Sequence, residues 1–168
     1  MFIRASDYAL RSLIELALCE RNEYVMASDL AKALGVSEHY LSRTLYRLVR
    51  RGFINSRRGK NGGFALTNDP KEITVYSVYE ALNDLSAFES CMVGEGDCSP
   101  EDSCPLHGLW ADVRDQFADS LRTTTLRDLA DLQAARPEGL RLAAIRSQAV
   151  SRKPRGGGGI SESNKSVN

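Results

Sequence analysis

Between Ser28 and Leu66 the order of apolar, glycine and basic residues leaves few folds open. Leu30, Ala33 and Leu34 share one face of a short helical segment from about Ser28 to Leu34. Gly35 follows as a residue able to turn at positive φ, and two positions later Ser37 can cap another helix. That helix has Leu41, Leu45, Leu48 and Val49 on its apolar face, turns His39, Ser42, Arg43 and Arg47 outward, and stops at Gly52. Phe53, Ile54, Asn55 and Ser56 then suit a strand, RRGKNGG a basic turn, and Phe64, Ala65 and Leu66 a returning strand. Two helices joined by a glycine turn and followed by a hairpin predict a winged helix-turn-helix, whose second helix enters the major groove of DNA. On the pattern alone, a plain helical hairpin with a solvated loop stands beside it.

Charge separates the two. The net charge is zero, but Arg43, Arg47, Arg50, Arg51, Arg57, Arg58 and Lys60 follow one another with no acid between them, whereas the stretch from Ala81 to Gln133 is strongly acidic. A face that is merely solvated mixes signs; an uninterrupted cationic run over the third helix and the hairpin favours contact with a polyanion. The candidate DNA contacts are therefore Ser37, His39, Tyr40, Ser42, Arg43 and Arg47 on the helix, with Arg57, Arg58 and Lys60 on the wing. The wing cations would reach phosphates or a narrow minor groove.

Around this unit the chain reads as mainly α. Tyr8, Leu10, Leu13, Ile14, Ala17 and Leu18 predict a first helix over 7–19 capped by Ser6 or Asp7, and ITVYSVYEALNDL predicts a helix over 73–85 entered through a short strand. Leu109, Trp110, Val113, Phe117 and Leu121 mark a long amphipathic helix from His107 to about Arg122, and Thr125 with Asp128 resembles a capping box opening another. The organisation is a winged helix-turn-helix over 1–80, a cysteine-rich loop with the preceding helix end over 81–106, a long helix and a C-terminal helix over 107–133, and a Gly/Ser/Lys/Arg tail over 134–168 expected to be disordered. No apolar run approaches a membrane span, and the opening MFIRASDYALR lacks a signal-peptide pattern, so a cytoplasmic protein is expected.

Three of the four cysteines and one of the two histidines fall in CMVGEGDCSPEDSCPLH. Cys91, Cys98, Cys104 and His107 are suitable ligands for zinc or for an iron-sulfur cluster. The loop has no Cys-x2-Cys knuckle of the kind structural zinc sites use, and its wide spacing with Gly94 and Gly96 suits a group larger than one ion. Bystander thiols are more often buried, as Cys19 is expected to be on the first helix, and a disulfide would leave one thiol over in a reducing compartment. A cysteine nucleophile could use His107 as its base, but nothing else in the chain orients it, so no enzyme is expected. Structural zinc and metal-free thiol sensing stay open as alternatives.

SDYALRSL at the start, GVSEHYLSRTL, the wing RRGKNGGFAL, the three-cysteine loop and CPLHGLW running into TLRDLADL together resemble the winged-helix iron-sulfur transcription regulators, the family that includes IscR, NsrR and RirA. The likeness covers about residues 1–133. It implies a homodimeric transcription factor that binds a double-stranded DNA operator, pairs through the long helix after the loop, and holds an iron-sulfur cluster on Cys91, Cys98 and Cys104. The fourth ligand implied is His107 for a two-iron cluster, or Asp7 donated by the other subunit for a four-iron cluster. Nitric oxide, oxidants or iron status are the implied signals, and Arg58 is the implied wing contact in the minor groove. Ser42 stands where the cluster-assembly regulator has glutamate, and the gap between Cys91 and Cys98 is one residue longer than in two of the subfamilies.

Overall fold

The computed structural model describes residues 4–59, 62–82, 85, 93 and 104–136. Cys91, Cys98, Lys60 and residues 137–168 of the expected tail lie outside them. The elements are α1 (Arg4–Ala17), α2 (Ala27–Leu34), α3 (Glu38–Arg50), β1 (Ile54–Arg57), β2 (Gly63–Leu66), α4 (Val75–Ala81), α5 (His107–Thr123) and α6 (Leu126–Ala134). This is the mainly helical winged helix-turn-helix that the sequence predicts.

α1 is the centre of the molecule, packed by α2, α3, α4, β2 and α6. Because neighbours surround it, every residue from Ser12 to Ala17 is buried, not only the apolar stripe. The polar members are paired: the Ser12 hydroxyl donates to the Tyr8 carbonyl at 2.7 Å, and the Glu15 carboxylate, 1% exposed, accepts from Gln133 Nε2 on α6 at 2.7 Å. The helix begins before the expected cap at Ser6 or Asp7. α1 already spans Arg4 onward, so Ser6 is a buried core residue and Asp7 lies in the first turn, where its charge suits the positive end of the helix. Cys19 falls just past the helix, half-buried against the core, its thiol donating to the Glu15 carbonyl at 3.4 Å.

α2 ends on Gly35 at φ 68°, and Ser37 caps α3 by accepting from the Tyr40 N–H at 3.3 Å. Leu13 of α1, Leu30 of α2, and Leu41, Leu45 and Leu48 of α3 are fully buried together, each worth about 1.5–3 kcal/mol over an exposed position. β1 and β2 pair antiparallel from Ile54↔Leu66 to Arg57↔Gly63, and Val25 joins the hairpin through paired bonds with Phe64 of 2.9 and 2.8 Å.

The predicted strand before α4 is reduced to one bridge, Thr74↔Thr125. It is flanked by Val75 N–H to Thr124 carbonyl at 2.9 Å and Leu126 N–H to Ile73 carbonyl at 2.8 Å, which fasten the α5–α6 corner to the start of α4. α4 stops at Ala81, short of the expected end at 85. The Thr125–Asp128 capping box forms as predicted, and the Thr125 hydroxyl and N–H hold the Asp128 carboxyl below its usual pKa.

Candidate nucleic-acid interface and cysteine segment

Burial of Leu41, Thr44, Leu45 and Leu48 fixes the phase of α3. The opposite stripe is His39, Arg43, Tyr46 and Arg50, all exposed, at spacings of four, three and four. Of the expected contacts, His39, Tyr40 and Arg43 are exposed, Ser42 is half-buried, and Ser37 has its side chain committed to the cap. Tyr46, at 57% exposure, and Arg50 are additions; extending the His39–Arg43 spacing one more turn would have found them. Arg47 is half-buried at the flank of the stripe, and its Nη2 donates to the Leu82 carbonyl at 3.0 Å.

The wing stands beside this stripe. The Tyr46 ring meets Phe64 of β2 edge-on, with centroids 5.7 Å apart, so helix and hairpin share a contact. Arg57 lies over the Tyr24 ring at 4.2 Å, a cation–π contact that no local pattern announces, and Arg58 is exposed at the tip. Gly63, at φ 138°, lets β2 pass against the Val25 backbone, where a Cβ would overlap the Val25 carbonyl. The result is an exposed cationic surface built from a capped helix and a braced hairpin.

Cys104 and His107 occupy the turn that opens α5, with the His107 N–H donating to the Cys104 carbonyl at 3.1 Å. Both side chains are half-buried. Asp7 is engaged by Arg11, whose Nε stands 3.0 Å from its Oδ1. Among the described residues no three His, Cys, Asp or Glu side chains converge into a metal-holding group. Cys91 and Cys98 are not described; of the other expected ligands, Cys104 and His107 are linked through their backbones at the turn before α5, and Asp7 lies on α1. The donor types, a thiol and an imidazole three residues apart, fit an iron-sulfur cluster and also zinc.

α5 carries no buried residue, and Leu109 and Val113 are 66% and 48% exposed. Its end is fastened by Arg122, which stacks on Tyr76 of α4 at 4.5 Å and pairs with Asp119 at 2.9 Å; the Tyr76 hydrogen bond, then Asp119, raise its pKa. No described helix is long and apolar enough to cross a membrane.

Residues 3–132 match the Rrf2 family model, described as an iron-dependent transcriptional regulator. The transcriptional regulator IscR of Escherichia coli is 32% identical over 126 residues, covering 75% of this chain and 77% of that protein. Among solved structures, CymR, the global cysteine regulator of B. subtilis, superposes with a TM-score of 0.67 at 28% identity, over 79% of this chain and 97% of that one. T. potens IscR shares the fold, with a TM-score of 0.61 at 20% identity over 93% of each chain.

Proposed function

The chain belongs to the Rrf2 family of transcriptional regulators, and from that premise we propose that it is a homodimeric operator-binding protein whose affinity is set by an iron-sulfur cluster. Its relatives are regulators of transcription, not enzymes. The observation that carries the proposal is the position of Cys104 in the turn before α5 and of His107 at its first residue, α5 being the helix whose Leu109 and Val113 are exposed. Exposed apolar side chains at helical spacing on a helix with no buried residue are accounted for by a second copy of α5 packed against it.

Cys91, Cys98 and Cys104 would hold the cluster through thiolates, with His107, or Asp7 of the partner subunit, as the fourth ligand. When bound, it would supply sensitivity to nitric oxide, oxidants or iron supply. The chain's own residues do the rest. Ser37 fixes the start of α3, the stripe His39–Arg43–Tyr46–Arg50 faces the groove, and Arg58 extends the wing onto the backbone, with Lys60 two positions on in the sequence adding a second cation. Two reading helices in a dimer must stand about 34 Å apart, so a small rotation between subunits at α5 changes operator affinity.

The test is purification without oxygen, followed by a visible spectrum and assays of iron, sulfide and zinc per chain. Colour with matched iron and sulfide, and loss of signal-dependent binding when Cys91, Cys98 and Cys104 are replaced by serine, are expected. Colourless protein carrying zinc after attempted cluster reconstitution would leave a DNA-binding regulator with a structural metal. Colourless, metal-free protein whose binding still responds to oxidants would assign the signal to the thiols themselves.

A further inference from the structure

Charge and helix position place Arg47 with the DNA contacts, yet its guanidinium points along another route. It reaches 35 positions down the chain to the Leu82 carbonyl, at 3.0 Å. Leu82 closes α4: its N–H turns back to the Val78 and Tyr79 carbonyls at 3.3 and 3.2 Å, and it is only 5% exposed. A carbonyl at that position has no intrahelical donor, and a cation is the partner that the negative end of a helix takes. The phase of α3 explains how Arg47 gets there. Leu41, Thr44, Leu45 and Leu48 point inward and the exposed stripe points out, which leaves Arg47 on the flank facing the end of α4.

Leu82 also stands where the chain leaves α4 toward Cys91, and α4 packs on α5, which begins at His107 directly after the turn from Cys104. One guanidinium therefore joins the reading helix to α4, which precedes the cysteine segment and packs on α5, the helix that follows it. We infer that Arg47 is a positioning residue and not a DNA contact: it ties α3 to the C-terminal end of α4, so that a change of state in the cysteine segment shifts the pose of the reading helix. This rests on the reading that the segment carries the regulatory group. The other end of α3 is gripped separately, where Tyr40 meets Tyr8 of α1 edge-on at 5.7 Å.

The two roles differ in a measurable way. A phosphate contact contributes about 0.9 to the slope of log affinity against log salt, in every state of the protein. A positioning residue contributes to the ratio between states and not to the slope. The assay is anaerobic fluorescence anisotropy on a labelled duplex that the wild-type chain selects from a random-sequence pool. Cluster-loaded and metal-free preparations are titrated at several salt concentrations, with circular dichroism as a check on folding. Wild type is expected to show a loaded-to-free affinity ratio within the roughly 5- to 150-fold range of ordinary coupling. Arg47→Met should bring that ratio close to one with the salt slope unchanged, and Arg47→Lys, which keeps a donor and a charge, should restore most of it. Arg47→Gln, polar but too short to span to Leu82, replaces the Met variant if the latter unfolds. Arg43→Ala is the contrast, weakening both states alike and flattening the slope. An Arg47→Met protein that keeps the full ratio, or that loses affinity equally in both states with a flatter slope, overturns the assignment. A wild type with no difference between loaded and metal-free binding removes the functional reading instead, and this inference with it.

Discussion

Replacing Gly63 by alanine should cost far more than the loss of one flexible residue. At φ 138° the backbone of position 63 lies where an L side chain is strained, a cost of about 1–3 kcal/mol. An added Cβ would also overlap the Val25 carbonyl and approach the Met26 nitrogen at 2.9 Å, and both are backbone, so neither can swing aside. The strand must separate, which endangers the two Val25–Phe64 hydrogen bonds of 2.9 and 2.8 Å, worth about 0.5–1.5 kcal/mol each. The expected destabilisation is therefore about 2–6 kcal/mol. Gly35→Ala is the internal standard: its φ is 68° and its Cβ would meet nothing within 4 Å, so it should pay the backbone term alone, about 1–2 kcal/mol. Urea unfolding with linear extrapolation gives both values. The wing should suffer most, since Gly63 is the register partner of Arg57, so weaker DNA binding should accompany Gly63→Ala even where the helices stay folded. A Gly63→Ala protein no less stable than Gly35→Ala would refute the close approach of β2 to Val25.

Other expectations follow from the same geometry. Arg58→Ala should weaken operator binding by about 1–3 kcal/mol without lowering thermal stability, because the side chain is exposed at the tip; an anisotropy titration beside a melting curve checks both. Val113→Asp places a charge on the exposed face of α5 and should convert dimer to monomer in sedimentation while the fold survives. A dimer that persists, or a wild type that is monomeric, argues against α5 as the contact. Asp128→Ala should lower stability at neutral pH. Because the folded carboxyl titrates below its usual 3.8, the difference from wild type should be complete above that value and disappear as pH falls through the depressed pKa. Acid melting curves that stay parallel at every pH would mean that ionisation of the Asp128 carboxyl contributes nothing to stability.

What was legible in the sequence, and what was not, divides by the range of the interactions. The cap at Ser37, the left-handed Gly35, the Thr125–Asp128 box and the apolar face of α3 are set within four residues, and each stands where local pattern puts it. α1 is legible only in part: a stripe can be seen from spacing, but burial of Glu15 depends on α6 bringing Gln133 to it from the far end of the chain. The Arg57–Tyr24 contact is hidden for the same reason, since it needs Val25 to dock beside β2 first. Arg43 and Arg47 make the sharpest case. They share charge, helix and spacing to the apolar face, and nothing local distinguishes them. Yet the rotation between them leaves one exposed on the reading stripe and the other at the end of α4. A basic stretch thus overstates its own contact surface wherever a neighbouring helix ends against its flank, and the cation diverted in that way is the one best placed to tell the reading helix what the rest of the molecule is doing.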